Sequence, residues 1–209
     1  MIKEFLDLSK ILNHRDLVIE ADEDGNRHAK TSVRIVKGLF LPHYFHPTTQ
    51  YTFEFIRTRF PTINFHAAEE YQILNYVPGG HYAPHWDYFD LEDNYRVLGN
   101  RMITFMVILK TAKIGGGTIF PKMGITFQPK PGDAVIWFNQ NPDDSKADDS
   151  LHGACPVLKG NKIGLTLWIR SKGQMFSYPC PIGNNKTFDM NMILKPKVEN
   201  IPIRKYVFV

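Results

Sequence analysis

His85-Trp86-Asp87, answered by His152, constrains this chain more than any other feature of its 209 residues. Two imidazoles and one carboxylate on neighbouring strands occupy one face of a metal octahedron and leave the opposite face open, the facial triad of a non-haem iron site. The open face is where chemistry happens. Side chains alternate with period 2 along a strand, so residues i and i+2 point together, and His-x-Asp predicts that one strand supplies two ligands. Taken alone, such a pair is more often a surface pair or a satisfied core histidine. Here Lys162 follows inside residues 160–168 (GNKIGLTLW), an alternating run that reads as a strand. From that strand a lysine can point into the same cavity and pair with a carboxylate of a bound acid.

The rest of the chain supplies a β-rich frame. Strands are predicted at 71–77, 85–88, 101–109, 118–120, 125–127, 133–138 and 163–169, joined by turn-rich links. Many short strands of this kind make a double-stranded β-helix, the jelly-roll or cupin-like barrel, whose mouth holds one small ligand. Before it, Ile2, Phe5, Leu6, Leu8, Ile11 and Leu12 recur at helical spacing and predict an amphipathic helix over 2–13. Two extended runs, 17–19 and 32–36, flank turn residues 21–27 and predict a hairpin. Pro47 at a first helical position opens a second helix over 47–59, although Tyr51, Phe53 and Phe55 alternate as strand residues do. The fold class is mainly β with flanking helices. Residues 1–180 form one domain, with a helical and hairpin part over 1–60 and the jelly-roll core over 70–180. Residues 181–209 are a tail without assigned role, and the alternation in 201–209 would suit an edge strand. The polar segment 141–150 predicts a mobile loop near the site mouth.

Composition excludes several classes. Hydrophobic residues make up 43% and charged residues 22%, which is ordinary for a globular domain and unlike a disordered one. The net charge of +4 is mild, and no run or stripe of basic residues supports nucleic-acid binding. No apolar run reaches the length of a membrane span. The acidic residues within 21–27 lack the spacing of a calcium loop. Residues 1–7 are charged and offer no apolar core for a secretory signal peptide.

Several motifs together resemble the catalytic domain of the collagen prolyl 4-hydroxylase α subunit: Tyr76-x-x-Gly79-Gly80-x-Tyr82-x-x-His85-x-Asp87, Arg101, 116–121 (GGTIFP) and 152–162 (HGACPVLKGNK). The likeness runs from about residue 16 to 180. It implies a procollagen-type prolyl 4-hydroxylase that uses Fe(II), 2-oxoglutarate, O2 and L-ascorbate. His85, Asp87 and His152 would be the metal ligands. Lys162, with the hydroxyls of Tyr76 and Thr118, would hold the far carboxylate of 2-oxoglutarate, since a buried carboxylate must be paired and hydrogen-bonded. Tyr82 resembles a tyrosine that contacts substrate or the oxygen species, with aromatic core packing as the alternative. Arg101 matches an arginine near the peptide groove, and Trp168 a tryptophan that borders the cavity. Directly after the lysine the family has Trp where this chain has Ile163, which is expected to reshape one cavity wall. Cys155 and Cys180 match family cysteines, and the resemblance implies that they pair. Two reduced thiols in a cytosolic enzyme are the rival reading.

The same resemblance implies a proline-rich or collagen-like polypeptide substrate, protein disulfide isomerase as partner, and the endoplasmic reticulum lumen as compartment. The sequon at Asn185-Lys186-Thr187 agrees with a secretory route, while the charged N-terminus does not. Other readings stay open: a related oxygenase on another peptidyl substrate, or a non-catalytic assembly subunit. A zinc hydrolase could also use His2Asp, but has no use for Lys162. His14, His28, His43, His46, His66 and His81 carry no motif and are expected on the surface or in the core.

Overall fold

The computed structural model describes residues 1–12, 14–16, 20–21, 27–28, 33–90, 97–174 and 188–191. Helix α1 (Ile2–Ile11) precedes short strands β1 (Arg15–Asp16), β2 (Glu20–Ala21), β3 (Arg27–His28) and β4 (Arg34–Ile35). Then come β5 (Lys37–Leu41), α2 (Pro47–Arg59), β6 (Tyr71–Tyr76) and β7 (His81–His85). The middle of the chain gives β8 (Arg101–Lys110), β9 (Ile114–Gly115), β10 (Thr118–Phe120), β11 (Ile125–Phe127) and β12 (Ala134–Phe138). Last are β13 (His152–Ala154), β14 (Val157–Lys159) and β15 (Lys162–Arg170). Among the described residues no helix is long and apolar enough to cross a membrane.

Two antiparallel sheets make the jelly roll. The major sheet has the order β1-β5-β6-β15-β8-β12 and the minor sheet β11-β10-β13-β7-β4. A cavity of about 160 Å³ lies between them, lined from the major sheet by Gln72, Leu74, Tyr76, Thr104, Met106, Trp137, Lys162, Gly164, Thr166 and Trp168.

The period-2 alternation of β15 explains why this chain folds as it does. Lys162, Gly164, Thr166 and Trp168 face the cavity, whereas Ile163, Leu165, Leu167 and Ile169 belong to the apolar core on the opposite face. Strands β6 and β8 repeat the pattern, with Tyr71 and Ile73, and Ile103, Phe105, Val107 and Leu109, on the core side. Burying each such side chain contributes about 1.5–3 kcal/mol, so a register slip by one residue would lose the core as well as the site. Ile163 therefore does not reshape the cavity wall. It points away from the cavity, because it is one residue out of phase with Lys162.

The two helices cover the core face. Phe5 of α1 packs edge-on against Tyr71 at 6.0 Å. In α2, Thr49, Thr52, Phe53 and Ile56 are buried, the helical i, i+3, i+4, i+7 stripe, while Tyr51 and Phe55 are 64% and 43% exposed. The apparent strand alternation there is thus a by-product of one buried aromatic between two exposed ones. Helix α2 begins with His46 Nδ1 accepting from Thr48 N and Thr49 Oγ1 accepting from His46 N, which satisfies first-turn donors that lack helical partners.

The N-terminal segment differs from a simple hairpin over 17–36. Strands β2 and β3 pair with each other, but β4 joins the minor sheet beside β7 and β5 joins the major sheet beside β6. The chain changes sheets at Val36, and residues 17–19 lie outside the described ones. Phe188 stacks on Phe138 at 4.6 Å, and with Met190 packs against the main core, so core packing reaches beyond residue 180. Residues 201–209 and the sequon are outside the described residues.

Candidate active site

The triad is assembled from two neighbouring strands of the minor sheet and the bend that follows one of them. His85 ends β7 and pairs directly with His152, which opens β13. Gly153 makes this approach possible, since a Cβ there would lie 3.0 Å from the carbonyl of Tyr82 and 3.2 Å from Pro84 N. Asp87 is not on the strand with His85, as the spacing predicted. Strand β7 ends at His85, and Asp87 lies in the bend beyond it, where its Oδ2 accepts a 2.7 Å hydrogen bond from Thr104 Oγ1 on the major sheet. A buried carboxylate needs such a donor, and Thr104 supplies it from across the cavity floor.

The donor atoms of His85, Asp87 and His152 all lie within 4.8 Å of one another. His85 Nε2 is 3.8 Å from Asp87 Oδ1, and His152 Nε2 is 3.6 Å from Asp87 Oδ2. Each imidazole has its Nδ1 2.9 Å from a backbone carbonyl, Ala83 for His85 and Ser150 for His152. A carbonyl only accepts, so Nδ1 carries the hydrogen and the Nε2 lone pair faces the centre, the usual way a ligating histidine is oriented. Burial, helped by the neighbouring His152, pushes His85 down to about 4, so it is neutral and able to ligate at neutral pH. Burial alone would raise the Asp87 carboxyl, but His152, His85 and Arg101 overcome it and hold Asp87 down at about 2. A donor set of two imidazoles and one carboxylate fits a divalent metal such as Fe(II).

At the other end of the same cavity stands Lys162, 4% exposed. Its Nζ donates to Thr118 Oγ1 at 2.8 Å and lies 5.8 Å from the Tyr76 ring centroid. Tyr76 is its cross-strand partner in the register of β15 with β6. Burial lowers the lysine to about 8, and no carboxylate pairs with it among the described residues. A cation kept in a polar cavity without a counter-ion is a site prepared for an anion. 2-Oxoglutarate, with one end able to chelate a metal and the other a carboxylate, suits the two ends together.

The remaining expected residues also line this cavity. Tyr82 stacks on His85 at 3.6 Å between centroids, and the Arg34 guanidinium covers its other face at 4.3 Å. Trp168 lines the cavity, with the Arg101 guanidinium over its ring at 3.6 Å. Arg101 is itself held by a bidentate pair with Glu69, at 2.8 and 2.7 Å, and Glu69 accepts also from Arg170 at 2.8 Å. Cys155 lies near the lysine end, where its backbone N donates to the Gly117 carbonyl at 2.9 Å. Cys180 is outside the described residues, and so therefore is the expected pairing.

Sequence reasoning missed Arg34, Glu69, Thr104 and Trp137. Thr104 is the one hydroxyl inside the apolar run Met102-Ile103-Thr104-Phe105, a signal that could have singled it out. Arg34, Glu69 and Trp137 carry no such mark. Three of the motif-less histidines have structural places. His43 stacks on Phe53 at 3.9 Å and reaches the Glu69 carbonyl at 2.8 Å, His46 caps α2, and His14 pairs with Ser9 at 2.9 Å. Segment 141–150 folds back on itself through Asn141 N to Ser145 O and Ala147 N to Asn139 O. It also grips the triad bend: Trp86 Nε1 donates to the Asp148 carbonyl at 3.2 Å and the Tyr88 hydroxyl to the Asp144 carbonyl at 2.8 Å.

A jelly roll with a facial His-Asp-His set and a facing lysine defines a class of metal-dependent oxygenase. The model of the 2OG-Fe(II) oxygenase superfamily matches residues 71–170, just under half of this chain. The chain is 40% identical over 119 residues to prolyl 4-hydroxylase subunit alpha-1 of Gallus gallus, covering 55% of this chain and 23% of the relative. It is 31% identical over 188 residues to probable prolyl 4-hydroxylase 7 of Arabidopsis thaliana, covering 80% of this chain and 58% of the relative. A solved structure of the viral collagen prolyl hydroxylase from Paramecium bursaria Chlorella virus-1, a 2OG complex, is similar with a TM-score of 0.53 and 27% identity over 66% of this chain and 79% of that one. The chain thus spans under a quarter of the length of the animal α subunits that it matches.

Proposed function

We propose that this chain is a prolyl 4-hydroxylase of the procollagen type, hydroxylating peptidyl proline at C4 while 2-oxoglutarate is decarboxylated to succinate and CO2. The observation that carries the reading is the buried Lys162, without a carboxylate partner among the described residues, facing the His85-Asp87-His152 set across one small cavity. His85, Asp87 and His152 would hold Fe(II), which would supply O2 activation when bound. Lys162 and the Thr118 hydroxyl bind the far carboxylate of the co-substrate, with Tyr76 walling that end. These contacts fix the co-substrate by its tail, so its keto-acid end is presented to the triad without further adjustment. Tyr82, braced between Arg34 and His85, borders the position where a prolyl ring enters. Trp168 and Arg101 form the adjoining wall, rigid because Glu69 fixes the guanidinium.

The relatives named above are a prolyl 4-hydroxylase subunit, a probable prolyl 4-hydroxylase and a viral collagen prolyl hydroxylase, which supports proline as the target. The proposal includes L-ascorbate as reductant, a collagen-like or proline-rich polypeptide as substrate, association with protein disulfide isomerase, and residence in the endoplasmic reticulum lumen with Cys155 and Cys180 bridged. Succinate release with Fe(II), 2-oxoglutarate and ascorbate, compared for (Pro-Pro-Gly)n, poly-proline and no peptide, tests the activity. Release stimulated by (Pro-Pro-Gly)n and accompanied by 4-hydroxyproline supports it. Stimulation by neither peptide overturns the proline assignment, and stimulation by poly-proline alone overturns the procollagen type. For the compartment, two freely alkylated thiols in protein from its native host would defeat both the bridge and the luminal assignment.

A further inference from the structure

We infer that Thr104 and Asn139 are positioning residues that set the rotation of the Asp87 carboxylate and so the geometry in which the triad takes its metal. The inference rests on the triad being a metal site. Its substance is a directed hydrogen-bond chain on the floor of the cavity, joining two residues outside the ligand set to one inside it.

The direction of the chain follows from which groups can donate. Thr104 Oγ1 lies 2.7 Å from Asp87 Oδ2 and 2.7 Å from Asn139 Nδ2. An amide nitrogen only donates, so the threonine hydroxyl accepts from Asn139. Its single hydrogen is left for the carboxylate. The reverse amide orientation would place Asn139 Oδ1 against the hydroxyl, draw that hydrogen away and leave Asp87 Oδ2 facing a lone pair at 2.7 Å. As it stands, Asn139 Oδ1 is buried with no partner, a cost usually avoided in a protein interior. The fold accepts it in return for a donor that can point only one way.

Both residues are held so that the chain cannot drift. Thr104 is 1% exposed and Asn139 fully buried. Thr104 sits on β8 of the major sheet, between β15 and β12, with Trp137 and Trp168 as its cross-strand partners on either side. Asn139 follows directly on β12, and its backbone N donates to the Met102 carbonyl at 2.8 Å. Its own carbonyl accepts from Ala147 at 2.9 Å, which ties it to the segment leading to His152. The bend that carries Asp87 is pinned beside this floor as well, since the Asn100 side chain both accepts from Phe89 N and donates to the Phe89 carbonyl, each at 2.9 Å. The effect is to rotate the carboxylate from the rigid sheet rather than from the bend on which it sits. With Oδ2 engaged by Thr104, the carboxylate is held with Oδ1 3.8 Å from His85 Nε2 and Oδ2 3.6 Å from His152 Nε2.

The test measures metal affinity rather than turnover, using Mn(II) as a spectroscopic stand-in for Fe(II) and titrating by electron paramagnetic resonance. Thr104→Val keeps the shape and removes the donor, and is expected to weaken Mn(II) binding by about 10–100-fold, the range for loss of a group that orients a ligand. Thr104→Ser, which restores a hydroxyl, is expected within about threefold of the parent. Thr104→Val leaves the Asn139 amide without an acceptor and so can fail to fold. The double variant Thr104→Val with Asn139→Leu orphans no donor, and is expected to bind Mn(II) as weakly as Thr104→Val alone because Asn139 acts through Thr104. Affinity in the double variant within twofold of the parent overturns the inference. So does an Asn139→Leu effect that simply adds to that of Thr104→Val, since independent sites add. A parent protein that binds Mn(II) no better than its His152→Ala variant overturns the metal site itself, a separate failure.

Discussion

The two ends of the cavity are built by different means. The lysine end stands on β15, hydrogen-bonded on one edge to β6 and on the other to β8, with apolar side chains packed beneath it. The triad end is put together from the last residue of one short strand, a bend, and the first residue of another. One end inherits its precision from sheet register, while the other requires side-chain ties from Thr104, Asn100, Trp86 and Tyr88. The difference teaches that spacing in the sequence fixes a position only where the backbone is regular.

The sharpest way to break this comparison is to remove a metal ligand. Asp87→Ala or His152→Ala is expected to lower turnover by more than the roughly 10–100-fold that loss of a supporting contact costs, with 2-oxoglutarate failing to chelate although Lys162 is intact. Substantial turnover in either purified variant would dissolve the triad. The complementary change at the other end is Lys162→Ala. Leaving the far carboxylate without its charge partner costs about 2–5 kcal/mol, which weakens 2-oxoglutarate binding by tens to thousands fold while Mn(II) affinity stays near that of the parent. Equal 2-oxoglutarate affinity in variant and parent would make Lys162 a structural residue.

A third change sharpens the contrast within β15 itself. Leu167 is 1% exposed and one residue out of phase with the cavity side chains. Leu167→Ala is expected to cost about 2–5 kcal/mol of stability, read by denaturant unfolding, and to leave co-substrate affinity per folded molecule unchanged. Loss of affinity without loss of stability would mean that the two faces are not separable.

The smallest effect is in pH. Burial holds Lys162 at about 8 in the folded protein, below its ordinary value near 10.5, so the folded chain gives up a proton that the unfolded chain keeps between those limits. Stability therefore gains from this group as pH rises from about 8 to 10.5, and that gain is absent below 8. Binding an anion reverses the preference, because it favours the charged lysine. Affinity for 2-oxoglutarate is thus expected to fall about tenfold between pH 7 and 9, measured by calorimetry, and Lys162→Arg should flatten the profile. A flat profile in the parent would show the lysine to be already charged throughout.

How much of this was legible beforehand follows the same division. The jelly-roll class, both helices and strands β6, β8, β10, β11, β12 and β15 could be read from periodicity, because burial on one face repeats along each element, whereas β5, β7, β9, β13 and β14 were not placed. His85, His152 and Lys162 could be read from spacing and resemblance, since they lie on or at the ends of strands. Asp87 was read as a ligand for the right residue type but on the wrong backbone, as its position comes from a bend held by Thr104. Ile163 was read against the family pattern when the phase of its own strand already turned it away. Arg34 and Glu69 stayed hidden because their neighbours in the cavity, Tyr82 and Arg101, are 48 and 32 residues away along the chain, and no local pattern reports that distance.

Placing the lysine on the most enclosed strand and the triad at strand ends also gives the molecule an order of opening. Regions that rest on few, short hydrogen-bonded segments open at lower free energy than a central strand bonded on both edges. The three-residue β13 and the five-residue β7 are of the first kind, and the nine-residue β15 is of the second. Opening of this protein is therefore expected to begin at the triad end while the barrel and the lysine end are still whole, so that loss of the site would precede loss of the fold.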